Sequence, residues 1–168
     1  MKLKQYQYKP SCFFVQVTLP GIFTALIGLF SIYQMIVSDY GPTYGFVLLV
    51  AIYHVWNTFV SVSNPEKISV DTNKILFHAY GKEHSYDLEE IEHFYMRMIG
   101  GRKRIYLTIN HGGIFRGRYW IRLEEFSENT ELEEKLSQME AQIHPNSILV
   151  EAKKQGKERL KKKGVPYV

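Results

Sequence analysis

The amino-acid sequence predicts an α+β membrane protein: a two-helix transmembrane hairpin followed by a cytoplasmic antiparallel β half-barrel closed by one C-terminal amphipathic helix. Three observations predict it. Between Lys9 and Glu66 the only charged side chain is Asp39. From Lys67 to Leu123 runs of alternating apolar and polar residues, broken by glycine and asparagine turns, carry the period of strands with one buried face. Leu132, Leu136, Met139 and Ile143 then recur at helical spacing until Pro145. The chain divides into an N-terminal arm (1–10), the hairpin (11–63), the β domain (64–145) and a basic tail (146–168).

The arm sets Leu3, Tyr6 and Tyr8 among lysines and glutamines, a weak alternation that suits either a segment lying on the membrane or an edge strand of the later domain. The first uncharged span, Cys12 to Val37, is about 39 Å long as a helix, and the second, Tyr44 to Val62, about 28 Å. A hydrocarbon core about 30 Å thick is within reach of both. Lys2, Lys4 and Lys9 precede the first span, Lys67 and Lys74 follow the second, and no lysine or arginine lies between them. Positive flanks stay inside, so both termini are expected in the cytoplasm of a multi-pass plasma-membrane protein. The first span lacks the short apolar region and small-residue site of a cleaved signal peptide, and is expected to stay in the mature chain.

Within the first span Pro20-Gly21 predicts a bend, because proline removes a backbone donor and crowds the preceding turn. Gly21, Ala25 and Gly28 share one face and invite the second span to approach closely. That second span carries His54, Asn57, Thr58 and Ser61 as a polar stripe. An ionisable group inside a membrane is costly, which makes His54 a candidate for a proton or ion path. The simpler reading is a neutral imidazole bonded to Thr24 or to a backbone carbonyl of the first span.

After Pro65 the period becomes that of strands. Lys67 to Asp71 and Ile75 to Tyr80 flank a turn, Gly81-Lys82 suits a two-residue loop, and His84 to Leu88 returns with Tyr80 opposite Glu83. In that register Ile75, Phe77 and Ala79 share a core face with His84, Tyr86 and Leu88. A further strand leads to Ile99, Gly100 to Lys103 turns, Arg104 to Asn110 alternates, and Ile114 to Leu123 places Phe115, Tyr119, Ile121 and Leu123 on one face. The total is roughly six antiparallel strands. Thr130 with Glu133 fits a capping box at the start of the closing helix. Strands in a row closed by one helix suggest a curved sheet with the helix plugging its open end.

On these residues the chain resembles bacterial proteins that carry a pleckstrin-homology-like (PH-like) domain directly after a transmembrane hairpin. The likeness rests on KISVDTNKILFHAY, on the step at Asp87, Leu88 and Ile91, and on the helix near Leu132 to Ile143. It implies a cytoplasmic binding or scaffolding module and no enzymatic activity. In lipid-binding members of the wider fold, basic residues gather around the first hairpin loop. Here Asp71-Thr72-Asn73 has only Lys74 beside it, a departure that argues against phosphoinositide recognition at that loop.

No nucleophile elbow, P-loop or dinucleotide fingerprint is present. The acidic runs Glu89-Glu90-Glu92 and Glu131-Glu133-Glu134 read as solvated faces, and no cofactor is expected. Cys12 is the only cysteine, which excludes an internal disulfide. Among the histidines, His78 and His84 fall on opposite faces while His93 and His111 lie in other segments, so no metal site is expected. Two basic features remain as candidates for binding. Arg116, Arg118 and Arg122 flank Trp120 on the polar face of the last strand, with Arg102, Lys103 and Arg104 in a nearby turn. Arginine donates in a planar fork and tryptophan favours interfaces, so this set suits lipid phosphates or an acidic partner. The second is the tail, where Lys153, Lys154, Lys157, Arg159, Lys161, Lys162 and Lys163 against Glu151 and Glu158 leave a net charge of +5, while the chain before it sums to −1. Tethered beside an anionic leaflet, the tail is expected to lie on the membrane surface. Nucleic acid is disfavoured because no aromatic precedes Tyr167 to stack on bases.

The expected function is therefore that of a membrane scaffold or adaptor. Its partners are membrane lipids and another membrane or membrane-associated protein, and a second copy of the chain is compatible with it. The alternative is an accessory subunit of a transport or channel system acting through His54 and the hairpin.

Overall fold

The arm forms a strand, because Tyr6 is fully buried and Tyr8 nearly so, and both rings need a sheet to cover them. A computed structural model describes residues 4–100, 104–147 and 150–151. Strand β1 (Lys4–Gln7) pairs antiparallel with β2 (Lys67–Val70), Tyr6 opposite Ile68. β3 (Lys74–Ala79) and β4 (Lys82–Asp87) complete a sheet in the order β1-β2-β3-β4. β5 (Phe94–Ile99), β6 (Arg104–Ile109) and β7 (Arg118–Arg122) form a second antiparallel sheet. Two helices stand between β1 and β2 in the chain: α1 (Pro10–Val37) and α2 (Gly41–Phe59). The C-terminal helix α3 (Asn129–Ile143) packs on the β5 side and contributes Leu132, Leu136 and Met139 to the one core shared by both sheets. The α+β class is as expected, with a long apolar N-terminal helix, two antiparallel sheets and a closing helix.

Pro20 is accommodated by a π turn over Phe14–Thr18, which opens the ladder one turn before the proline, where the sequence suggested a bend. Beyond it Gly21 and Gly28 are buried against α2. A Cβ at Gly21 would come within 2.8 Å of Thr58 and Phe59, and one at Gly28 within 3.4 Å of Ala51. α1 is long and apolar enough to cross a membrane, and only 22% of its most apolar window is buried. It is the one such helix among the described residues; Thr43, His54, Asn57 and Thr58 dilute the apolarity of α2.

Three local expectations are corrected. The turn between β3 and β4 is Tyr80-Gly81, both with positive φ (50° and 75°), so Ala79 faces Lys82 and Phe77 faces His84. This register is two residues from the expected one, and the faces survive because a shift of two preserves parity. The last strand starts only at Arg118, with Ile114 to Gly117 forming a tight turn, so Phe115 is exposed and outside the core while Tyr119, Ile121 and Leu123 are buried. The capping box at Thr130 is absent. The helix starts at Asn129 behind Glu128, whose left-handed backbone (φ 51°) accompanies a contact of its carboxylate with Lys4 Nζ at 2.6 Å.

Candidate functional site

The outward face of the second sheet gathers a basic and aromatic surface. Registers across β5, β6 and β7 set three rows: Tyr95 with Thr108 and Arg118, Arg97 with Tyr106 and Trp120, and Ile99 with Arg104 and Arg122. The intervening residues Met96, Ile105, Leu107, Tyr119 and Ile121 are buried, and that alternation is what pushes the polar set outward. The rings of Tyr106 and Trp120 lie 4.5 Å apart. Arg104 stands directly opposite Arg122, an arrangement of like charges that costs stability in a sheet. Arg118 Nε donates to the Gly112 carbonyl at 2.7 Å and Arg122 Nη1 to Gln16 Oε1. Among the described residues none of Arg97, Arg104, Arg118 and Arg122 is in an ion pair with a carboxylate.

This face borders the feet of the two long helices. The outer edge of β7 is hydrogen-bonded to the segment after α2, with Trp120 N donating to Ser63 O at 2.7 Å. Gln16 of α1 accepts from Tyr8 Oη as well as from Arg122 and donates to Glu125 at 2.9 Å. Glu125 is held below the usual carboxylate range first by that Gln16 bond. Tyr80 completes the junction. Its hydroxyl meets Thr18 Oγ1 at 2.8 Å, and its ring packs against Phe13 and Phe59.

The structure thus brings together Arg104, Arg118, Trp120 and Arg122 of the residues singled out from the sequence. Arg116 is not among them. Its guanidinium crosses to β4, bonds the Ser85 carbonyl and lies 4.5 Å over the Tyr86 ring, at a cleft of about 320 Å³ also lined by Asn110 and His111. Arg102 and Lys103 lie outside the described residues, as do Lys153, Lys154, Lys157, Arg159, Lys161, Lys162 and Lys163 of the tail. Tyr95, Arg97 and Tyr106 were missed, although the alternation of Phe94-Tyr95-Met96-Arg97 against buried Phe94 and Met96 was there to find them. His54 is half-buried in α2, and Thr24 donates to the Pro20 carbonyl; among the described residues no hydrogen bond joins Thr24 to His54.

The histidines are distributed differently from the expectation. His93 lies 5.5 Å from His111 and 6.2 Å from His144, ring to ring, so these three segments do converge. His144 Nε2 accepts from Phe94 N at 3.0 Å. Among the described residues no group of three or more metal-binding side chains is placed to hold an ion. His84 Nδ1 and Tyr86 Oη both meet the buried Tyr119 hydroxyl, at 2.9 and 2.7 Å. Burial, then the bond with Tyr86, pushes the Tyr119 phenol far above its ordinary range. Comparison with known protein families, with curated proteins and with solved structures finds no match.

Proposed function

We propose that this chain is an integral membrane scaffold or adaptor whose cytoplasmic PH-like module rests on the anionic membrane surface through the face formed by Arg97, Arg104, Arg118, Arg122, Tyr106 and Trp120. The observation that carries it is four arginines that, among the described residues, form no ion pair with a carboxylate, on a sheet whose edge strand is bonded to the helix feet. Each cation close to an anionic leaflet contributes about 1 kcal/mol of attraction, and the interleaved aromatics suit the interface. The PH-like reading is supported by two antiparallel sheets closed by a C-terminal helix.

Membrane insertion is supported by the large exposed side chains along both helices, among them Phe23, Leu29, Ile36, Phe46 and Leu49, a surface too apolar for water. A hairpin, with α2 as the return span, is supported by the ends of the pair. The start of α1 and the end of α2 are both hydrogen-bonded to the same β module, so a crossing by one requires a crossing by the other. The tail, on its composition, joins the same surface.

The test uses the full chain carrying Trp56→Phe, which leaves Trp120 as its only tryptophan, reconstituted in nanodiscs. Trp120 emission is expected to respond to anionic lipid, to respond less as salt shortens the Debye length below about 8 Å, and to lose the response in R97E/R104E. Equal emission in anionic and neutral discs would remove lipid as the partner of this face. His54→Ala is expected to leave the response unchanged.

A further inference from the structure

The turn between β6 and β7 presents its least polar residues at its tip. Ile114 and Phe115 are 56% and 67% exposed, at a position that glycine, asparagine, aspartate or proline ordinarily fills. The turn is held in shape from below. Gly113 N donates to Arg116 O at 2.8 Å and Ile109 N to Gly117 O at 2.9 Å. Gly112 and Gly117 approach so closely that a Cβ on either would meet the other's backbone below 3.0 Å, and Gly117 has φ 91°. Arg118 fixes Gly112 from the side. A turn held at its base, with an apolar tip and Arg118 beside it, matches a boundary that is apolar beyond and anionic at its rim.

The tip also has a fixed position. The ring of Phe115 meets that of Trp56 edge to face, centroids 5.2 Å apart, so the turn rises beside α2 about one helical turn before its end at Phe59. We propose that Ile114 and Phe115 insert into the headgroup and upper acyl region of the bilayer next to Trp56, making the β6–β7 turn a third membrane anchor beside the two helices. This rests on the membrane reading given above and names what the module's most apolar turn is for. A bilayer is favoured over a protein groove because the neighbouring surface of α2 is itself exposed and apolar, with Ile52 and Tyr53 each more than half exposed. Insertion of the turn fixes the tilt of the arginine face against the leaflet.

The experiment places a single tryptophan at the tip, F115W in the full chain with Trp56→Phe and Trp120→Phe, reconstituted in vesicles whose lipids are brominated at defined depths. Emission is expected to be blue-shifted and quenched most by bromines near the headgroup end of the acyl chain. In parallel, a spin label on I114C in a Cys12→Ala background should collide with oxygen more readily than with a water-soluble nickel complex. If F115W is unquenched and the label favours nickel while the protein resists alkaline carbonate extraction, the turn does not insert and the membrane reading stands. Extraction by carbonate would overturn both. Quenching lost on chemical cross-linking of two copies, with the label shielded from both colliders, would assign the tip to a second chain instead.

Discussion

At the scale of single residues, the buried Tyr119 hydroxyl shows how the two sheets are joined by chemistry as well as by packing. A phenol with no exposed surface needs bonding partners, and it takes His84 and Tyr86 from β4 while its ring stacks on Phe77 at 3.8 Å. Burial first, then the Arg116 and Lys82 charges, hold the His84 imidazole below its ordinary 6.5. The unfolded chain therefore takes up this proton at a higher pH than the folded one. Stability contributed by neutral His84 is complete above 6.5 and is lost as pH falls through 6.5 toward the lower folded value. We expect denaturant midpoints of the full chain in mild detergent to fall between about pH 7 and 5, and to fall less in His84→Gln. Parallel pH dependence in the two proteins would remove His84 as the cause. Tyr80 carries a different lesson. Its positive φ is uncommon for a bulky side chain, and it is retained at the turn because its ring and hydroxyl bind the helix feet.

At the scale of elements, α3 completes the sheet it covers. The outer edge of β5 would expose unpaired N–H groups, and the helix supplies acceptors: Glu140 Oε1 takes Met96 N at 3.1 Å and His144 Nε2 takes Phe94 N. A glutamate buried to 3% exposure is explained by that service. Glu140→Ala leaves the Met96 amide without this acceptor and is expected to cost about 1–3 kcal/mol, whereas Glu140→Gln, which keeps an acceptor oxygen, should cost less. Urea melts of the full chain in mild detergent decide it, and equal losses in both variants would point to charge instead of the amide bond. The apolar stripe that seats α3 was legible in the sequence, as were the inward faces of β3, β4 and β6, because burial writes its period into the residues. The start of α3 was not. The Lys4 contact that accompanies the left-handed Glu128 comes from more than a hundred residues away. β1 was undecidable for the same reason, since a four-residue strand whose partner lies beyond two helices leaves no local signal. Four of the six residues of the arginine face were visible in the sequence: Arg104, Arg118, Trp120 and Arg122. Alternation along β5 and β6 puts Arg97 and Tyr106 on the outward faces of their strands, but only the cross-strand register sets them beside Trp120.

At the scale of the whole molecule, the helices are an insertion between two neighbouring strands of one sheet. Two residues separate β1 from α1, and the short segment after α2 is bonded to β7, so the module is tied to the helix pair at both ends. Tyr8 bridges to Phe126 and Lys9 N donates to Glu125 O at 2.9 Å, closing the first tie. Glu66 N bonds His78 O at 2.8 Å and closes the second. With two short ties on one rigid module, the start of α1 and the end of α2 are held on the same side of whatever the helices cross. On the proposed hairpin reading, the residues between them, Ser38 to Tyr40, lie on the opposite side together with the first turn of α2. Lysines occur only at the module end of the pair, and on the proposed membrane reading that asymmetry puts this end in the cytoplasm. A cysteine at Thr43 in a Cys12→Ala background is therefore expected to react with a membrane-impermeant maleimide added to intact cells. A cysteine at Ser127, beside β1, should react only after lysis. Labelling of both positions from outside would reverse the orientation, and labelling of neither until lysis would mean that the helix pair does not cross the membrane.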